Sequence, residues 1–366
     1  MKIAFFGSSL LSAYWNGAAT YYRGILKALA ARGHHVVFLE PDAFDRQHHR
    51  DIEPPDWAEV MVYAADARGL RAALAHARSA ELVVKASGVG VYDAELECGV
   101  LEMAPAHALV AFWDVDAPAT LERLRRDPGD PLSALLPDYD IVLTYGGGEP
   151  VRRAYLELGA RLCAPIYNGL DPDDHHPVAP ARDFQCDLAF LGNRLPDREA
   201  RVEEFFLKAA ERAPEKSFLL GGSGWEDKPV PANVRRLGHV FTRDHNALNC
   251  TAKCVLNINR ESMAQNGWSP ATRVFEAAGA GACLITDRWR GIEMFLEPKS
   301  EILVAEDGVA VADIVRAVGE AEARRIGAAA RRRVLAEHTY RDRAVAVEQA
   351  LALATASRAA RAGRVT

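Results

Sequence analysis

Short apolar runs alternate with amphipathic segments along this chain, and the alternation restricts the fold more than any other feature. The run "KIAFFG" predicts a buried strand. The segment "ATYYRGILKALAARG" predicts a helix that Gly33 ends, because Tyr22, Ile25 and Leu29 recur at helical spacing. Further runs predict more strands: "HHVVFLEP", "EVMVYA", "ELVVKAS", "ALVAFWDVD", "DIVLTYG" and "RLCAPIYNG". Strands that alternate with helices predict βαβ units and a parallel sheet.

The alternation starts again after a polar, proline-rich stretch, "LDPDDHHPVAPARDFQ". The second series consists of the strand "CDLAFLGN", the helix "DREARVEEFFLKAAERA", the strand "KSFLLGG", the short helix "NALNCTAK" and the strand "CVLNINR", followed by another helix and strand. A chain of 366 residues exceeds the roughly 100–200 residues of one domain. We therefore predict an α/β fold with domains at 1–170 and 185–339, a linker at 171–184, and a helical segment at 340–366.

Composition and charge exclude several classes of protein. The net charge of −6 argues against a nucleic-acid partner, which usually requires a basic surface. No apolar run reaches the roughly 18 residues of a transmembrane helix, and the N-terminus lacks the features of a signal peptide. Six cysteines without a CxxC pair predict reduced thiols and no metal site. We expect a cytoplasmic protein.

The C-terminal stretch "ASRAARAGRVT" carries three arginines. They could contact an anionic membrane surface peripherally, and the simpler interpretation is that they are solvated.

The stretch "NGWSPATRVFEAAGAGACLITD" contains the strongest candidate site. Ser269 and Pro270 predict the start of a helix, with the serine as its cap. The first turn, which includes Thr272, then offers free N–H groups to a phosphate. Glu276 could accept hydrogen bonds from a vicinal diol such as a ribose, and Arg273 could add charge for a diphosphate. Alternatively, Arg273 and Glu276 form an ordinary surface ion pair.

A second candidate site follows the strand "CDLAFLGN". Arg194 and Arg198 lie just before and at the start of the next helix, where guanidinium groups could bind a diphosphate. The alternative is that these arginines only solvate the beginning of the helix.

Loops after strands of the first half carry a third set of candidates, because open parallel sheets bind ligands outside the carboxyl ends of their strands. We assign ligand binding in this half to Trp15, Asn16, Gly17 and Trp113. Gly17 would let a ligand approach the backbone closely.

Three charged residues near strand ends are candidate catalytic groups: Lys85, Asp114 and Asp116. Either aspartate could act as a base or bind sugar hydroxyls. Alternatively, Asp116 caps the helix predicted in "DAPATLERL".

Taken in order, "FWDVDAP", "CDLAFLGNRLPDREAR", "NVRRLGHV", "CVLNINRE", "TRVFEAAGAGACLITD" and "HTYRDR" resemble the CgeB-like branch of the GT-B glycosyltransferases, which is related to the family-four group. The resemblance spans nearly the whole chain. It implies two Rossmann-like domains facing across a cleft, with the acceptor on the first and a nucleotide-sugar donor, UDP- or GDP-linked, on the second. A C-terminal helix would cross back to the first domain. It implies retention of anomeric configuration and neither a metal ion nor a cofactor.

The resemblance also implies roles for residues of the second half. Glu276 matches the glutamate that binds the donor ribose, and Arg194 and Arg198 resemble the basic pair at the diphosphate, although they stand one residue closer together than is usual. The remaining donor-site assignments are Gly238, His239 and Val240 near the base, with Asn259, Trp268, Ser269, Thr272 and Arg273. Family-four relatives carry a second glutamate where this chain has Trp268, so the resemblance does not identify the sugar.

The sequence therefore predicts a glycosyltransferase with an unidentified acceptor. Two other classes stay open: an epimerase or phosphorylase on the same fold, and a non-catalytic nucleotide-sugar-binding protein. An NAD-dependent enzyme is disfavoured because the glycine fingerprint is missing.

Overall fold

The computed structural model describes residues 1–14 and 16–365, which form two compact units. The first unit comprises Met1–Asn168 and Tyr340–Thr366, and the second unit comprises Gly169–Thr339.

Each unit contains one sheet. The strands of the first unit are β1 Lys2–Phe6, β2 His35–Asp42, β3 Ala58–Ala64, β4 Leu82–Ala86, β5 Leu109–Asp114, β6 Ile141–Thr144 and β7 Cys163–Pro165. Those of the second unit are β8 Leu188–Leu191, β9 Phe218–Gly221, β10 Val234–Gly238, β11 Cys254–Asn257, β12 Leu284–Asp287 and β13 Leu303–Ala305.

Helices connect most of these strands. They are α1 Ala19–Ala31, α2 Ala67–Ala75, α3 Asp93–Met103, α4 Ala117–Arg126, α5 Pro131–Leu135, α6 Gly148–Glu157, α7 Pro196–Val202, α8 Lys208–Arg212, α9 Thr242–Thr251, α10 Glu261–Asn266, α11 Thr272–Ala280, α12 Gly308–Ala317, α13 Glu320–Glu337 and α14 Tyr340–Val365. A π-helical turn, Glu203–Leu207, joins α7 to α8 in one continuous helix.

Both sheets have the same doubly wound topology. The strand order is β3-β2-β1-β4-β5-β6-β7 in the first unit and β10-β9-β8-β11-β12-β13 in the second. The pairs are parallel, with Ile3 beside Val36 and Leu82, and Ala189 beside Leu219 and Val255. In each sheet the order reverses beside the first strand, between β1 and β4 and between β8 and β11. Ligands of such sheets bind at this switch point.

Apolar side chains cover both faces of the first sheet. Ile3 and Phe5 belong to one buried cluster, and Ala4 and Phe6 belong to the other, as the two-residue period of a strand requires. Helix α14 contributes Tyr340 to the cluster of Phe5, so the C-terminal helix completes the core of the first unit.

Several predicted elements differ from the structure. The segment predicted as a linker packs on the second unit, where Ala181 N donates to Thr251 Oγ1 at 2.8 Å. Strand β10 was not predicted because its exposed Arg235 and Arg236 break the apolar pattern of this edge strand. The end of α1 is as predicted, since Gly33 is left-handed with φ of 89°.

Among the helices of the described residues, none is long and apolar enough to cross a lipid bilayer.

The close contact between α1 and α14 predicts that one added methyl group at Gly24 destabilises the protein. A Cβ at Gly24 would lie 2.2 Å from Tyr340 Cε2, so Gly24→Ala must displace the ring or the helix. We expect a loss of about 1–3 kcal/mol in the free energy of unfolding, measured by urea titration with circular dichroism. Gly17→Ala is the control, because a Cβ there meets no atom within 4 Å. Equal urea midpoints for Gly24→Ala and Gly17→Ala would contradict the close packing of Gly24 against Tyr340.

Candidate functional site

Two arginines of the second unit meet over one phenylalanine at the switch point. Phe190 lies on β8, and its ring centroid is 5.8 Å from Arg198 Cζ and 5.4 Å from Arg273 Cζ. Arg198 belongs to α7, which follows β8, and Arg273 belongs to the first turn of α11. The fold thus brings together two cations that are 75 residues apart in the sequence.

Neither guanidinium group has a carboxylate within 4.0 Å among the described residues, although the charges of Asp197 and Glu276 act on Arg198 and Arg273 respectively. Arg198 donates to the backbone oxygen of Asn193 at 2.6 Å, and its buried Nε finds no acceptor among the residues the structure describes. Burial, with a contribution from the Arg273 charge, lowers the pKa of Arg198 to about 10. Burial also lowers the pKa of Arg273, although Glu276 opposes the shift. A pair of like charges held in this way is suited to bind an anion.

Arg194, the other predicted diphosphate ligand, is engaged elsewhere. Its guanidinium lies 2.6 Å from Glu199 Oε1 and 2.8 Å from Asp227 Oδ1, and these hydrogen bonds raise its pKa. The structure therefore places Arg273, and not Arg194, beside Arg198.

Helix α11 begins later than predicted. Thr272 is its first residue, Ala271 is at the N-cap position, and no side chain caps the helix. The prediction of Ser269 as the cap is wrong: this buried serine donates to the backbone oxygen of Gly267 at 3.0 Å. The first amides of an α-helix have no partner within the helix, so an uncapped start can supply N–H donors to a ligand.

Glu276 lies on the same helix, one turn beyond Thr272. Its side chain is 17% exposed, and its Oε1 is 3.8 Å from Nε2 of His175. His245 of α9 is close enough to interact with the Glu276 charge, which opposes the lowering of the pKa of His245 by burial. Val274 and Phe275 occupy the buried flank of the helix.

Asn259 follows β11 and is 2% exposed. Its backbone N–H donates to Asp287 Oδ1 at 3.1 Å, and its Nδ2 is buried without a hydrogen-bond partner among the described residues. Arg201, which the sequence analysis missed, fixes this region: it lies 2.6 Å from Asp287 Oδ2 and donates to Asn259 O at 3.1 Å. The sequence feature that could have identified Arg201 is its position three residues after Arg198 on the same helix.

The loop after β10 contains the residues assigned to the base. Gly238 is left-handed with φ of 67°, His239 is exposed, and Val240 is buried. The ring of His239 meets Phe241 edge-on at 4.8 Å between centroids, and Phe241 is 55% exposed. This edge of the second sheet therefore presents an aromatic surface to solvent.

Trp268 precedes α11 in a left-handed conformation, with φ of 45°. Its ring lies 5.2 Å from Arg290 Cζ, and the backbone N–H of Trp268 donates to the backbone oxygen of Arg290 at 2.6 Å. A Cβ at Gly291 would lie 2.1 Å from the Trp268 ring, so the glycine allows this close packing.

In the first unit, Asp114 ends β5 and is fully buried. Its carboxylate accepts hydrogen bonds from Tyr155, from Ser87 Oγ at 2.7 Å, and from Thr120 Oγ1 and the backbone N–H of Asp116 at 3.0 Å. Burial raises its pKa, and these hydrogen bonds oppose the shift. The geometry gives Asp114 the role of holding the start of α4.

Asp116 occupies the N-cap position of α4, but its side chain makes no capping hydrogen bond, so the proposed cap is wrong. Lys85 is fully buried on β4. Its Nζ contacts Asp93 and lies 3.5 Å from Glu97 Oε1. The site of Lys85 is thus an internal ion-pair network.

The acceptor candidates occupy different environments. Trp113 is 1% exposed and lies in the core, where its Nε1 donates to the Tyr21 hydroxyl at 3.1 Å. Asn16 is buried and donates to the oxygens of Ser9 and Ser12, so it shapes the loop after β1. Gly17 is exposed in this loop, and Trp15 lies outside the described residues.

Within residues 1–14 and 16–365, no three His, Cys, Asp or Glu side chains are grouped so that they could hold a metal ion.

Comparison with known proteins gives a family match over part of the chain. Residues 198–349 match the family model described as "Glycosyl transferase-like". No curated protein matches the sequence.

Solved structures resemble the whole chain at low sequence identity. Sucrose-phosphate synthase from Thermosynechococcus elongatus has 16% identity and a TM-score of 0.70, covering 98% of this chain and 100% of that chain. HepE from Anabaena, solved with UDP, has 15% identity and a TM-score of 0.67, covering 96% and 100%. An alpha-glucosyltransferase solved with UDP-glucose and DNA containing an abasic site has 11% identity and a TM-score of 0.68, covering 97% and 99%.

These structures confirm the predicted fold class, an α/β protein of GT-B architecture with two Rossmann-like units. Together, the family match and the fold support an enzyme of the glycosyltransferase class.

The Lys85 network predicts a loss of stability when the lysine is removed. Among the described residues, Lys85→Met leaves Glu97, whose side chain is 4% exposed, with Arg123 at 3.6 Å as its one cationic partner. We expect the free energy of unfolding to fall by about 3 kcal/mol, measured by urea titration. The double variant Lys85→Met/Glu97→Gln should recover part of the loss. Unchanged stability with lost turnover would instead support the catalytic role predicted from the sequence.

Proposed function

We propose that this protein transfers a sugar from a nucleoside diphosphate sugar, bound by the second unit, to an acceptor bound by the first unit. The observation that carries the proposal is the meeting of Arg198 and Arg273 over Phe190 at the switch point of the second sheet. Both cations lie near the uncapped start of α11, and the carboxylate of Glu276 follows one turn later.

The arginines suit the diphosphate. Guanidinium groups form paired, charge-assisted hydrogen bonds with phosphate oxygens, and a helix N-terminus adds N–H donors. When the bond between sugar and diphosphate breaks, negative charge grows on the leaving diphosphate. Arg198 and Arg273 are held where they can stabilise that charge, and we therefore propose transfer without a metal ion.

Glu276 suits the ribose, since a carboxylate can accept hydrogen bonds from both hydroxyls of a diol. The loop at Gly238, His239 and Val240 would contact the base, with the exposed ring of Phe241 beside it. Among solved structures of the same fold, HepE and the alpha-glucosyltransferase hold UDP or UDP-glucose, which favours a UDP-sugar as the donor here.

We also propose that the chain belongs to the CgeB-like branch and retains the anomeric configuration, as the ordered sequence motifs imply. Incubation with UDP-glucose and a panel of hydroxyl acceptors, followed by NMR of the product anomer, tests this. An α-linked product from the α-linked donor indicates retention, and a β-linked product would contradict it. Consumption of the donor without any acceptor would favour an epimerase or phosphorylase. Donor binding without turnover would favour a binding protein.

The ribose contact predicts how Glu276→Ala changes discrimination between nucleotides. Calorimetric titration of the wild-type protein should show UDP binding about tenfold or more tighter than 2′,3′-dideoxy-UDP, because the latter lacks both hydroxyls. Glu276→Ala should bind the two nucleotides equally. Glu293→Gln, an exposed glutamate of the same unit, should behave as the wild type. A preserved preference for UDP in Glu276→Ala would contradict the assignment.

The diphosphate contact predicts a different pattern for the arginines. Arg198→Gln and Arg273→Gln should each weaken UDP binding at least about tenfold, since a hydrogen bond to a charged group contributes about 1.5–3 kcal/mol. Uridine, which has no phosphate, should bind both variants as it binds the wild type.

Two arginines serve as controls for this measurement. Arg194→Gln should affect UDP binding less than either variant, because Arg194 is engaged by Glu199 and Asp227. Arg325→Gln, on the exposed face of α13, controls for the loss of one positive charge. If uridine and UDP lost affinity equally in Arg198→Gln and Arg273→Gln, the arginines would not bind the diphosphate.

A further inference from the structure

The turn after β2 has an unusual backbone. Phe44 and Asp45 are consecutive non-glycine residues in the left-handed region, with φ of 57° and 58°. Side chains with a Cβ rarely adopt this conformation, and it persists where the surroundings impose it, often at ligand sites. Phe44 is nevertheless 54% exposed, so its ring is not held in the core. The turn thus presents an aromatic ring to solvent.

Arg46 follows in the same turn and is only 7% exposed. Its guanidinium lies 4.9 Å from the ring centroid of Phe44 and donates one hydrogen bond, to the backbone oxygen of Ser8 at 3.2 Å. Its buried Nε has no acceptor, and no carboxylate lies within 4.0 Å of it among the described residues. Burial lowers the pKa of Arg46. This is a buried cation without an ion-pair partner.

The acidic groups around this turn are already engaged. Glu40, which interacts electrostatically with Arg46, accepts hydrogen bonds from the backbone N–H of Leu10 at 2.6 Å, Ser9 Oγ at 3.0 Å and Gln47 Nε2 at 2.8 Å. Three other carboxylates have cationic or imidazole partners: Asp45 with His48 and His49, Asp51 with Arg23, and Asp93 with Lys85. Each of these four carboxylates therefore has partners other than Arg46.

The turn also lies at the switch point of the first sheet. Arg46 bonds to Ser8 in the loop after β1, and Phe44 packs on Gly90 in the loop after β4. A Cβ at Gly90 would lie 2.6 Å from Phe44 Cε2. Because β1 and β4 flank the switch point, the turn contacts both loops between which ligands of such sheets bind.

We infer that the acceptor carries an oxyanion, a carboxylate or a phosphate, which Arg46 binds while Phe44 contacts an adjoining apolar or ring portion. The inference rests on the proposed function only in taking the ligand of the first unit to be the sugar acceptor. A guanidinium presents several N–H donors in a plane and matches both oxyanions. An anion bound there would offset the cost of burying the cation.

The test uses the full-length chain with saturating UDP, so that the donor site is filled, at constant ionic strength. Benzoate, phenyl phosphate and the neutral benzyl alcohol are titrated calorimetrically. We expect one oxyanion or both to bind about tenfold or more tighter than benzyl alcohol, and the two anions distinguish a carboxylate from a phosphate preference. Arg46→Gln should abolish the preference, and Arg46→Lys, which keeps the charge but loses the planar group, should retain part of it.

Arg50→Gln is the matched control, because Arg50 is exposed and ends the same turn. It should bind the oxyanions as the wild type does. Equal affinity of the wild type for all three probes, no measurable oxyanion binding, or equal oxyanion affinity in wild type and Arg46→Gln would overturn the inference. If Arg46→Gln does not fold, the comparison of the three probes on the wild-type protein still tests the inference. Arg46-dependent oxyanion binding in a protein that fails to bind UDP would count against the proposed function alone.

Discussion

Parallel strands buried on both faces require a covering helix in nearly every connection, and this constraint organises the molecule. The loops that follow the strands are gathered at the carboxyl edge of each sheet. Both sheets also reverse their strand order beside the first strand, so each unit has one switch point with two diverging loops. For this reason the arginine pair of the second unit and the Phe44–Arg46 turn of the first unit each lie beside the switch point of their own sheet.

The charged residues at the strand ends differ in how fully partners within the protein balance their charges. Asp114, Lys85 and Arg194 are charged residues at promising positions, but each has partners of complementary charge or hydrogen-bonding character within the protein. Among the described residues, neither Arg198 nor Arg273 has a carboxylate within ion-pair distance, and two like charges near one ring raise each other's cost of burial. A bound anion would balance this arrangement. The distinction depends on contacts and was not visible in the sequence.

The balance of charge can be examined in each unit by itself. The second unit concentrates positive charge beside one carboxylate, Glu276, which fits a diphosphate followed by a diol. The first unit holds Arg46, a buried cation with no carboxylate within 4.0 Å among the described residues, beside an exposed aromatic ring. A donor with two phosphates and an acceptor with one oxyanion would each supply the charge that its unit lacks.

The sequence by itself determined the α/β class, most strands, and the helix α1, because these depend on side-chain periods of two and 3.6 residues within a short stretch. The edge strand β10 escaped prediction, since the exposed Arg235 and Arg236 interrupt its apolar pattern. Only the tertiary structure decided that Arg273 joins Arg198, that Trp113 lies in the core, and that Ser269 caps no helix. Burial and ion pairing are set by residues far apart in the chain, such as Phe190 and Arg273, and no local pattern encodes their meeting.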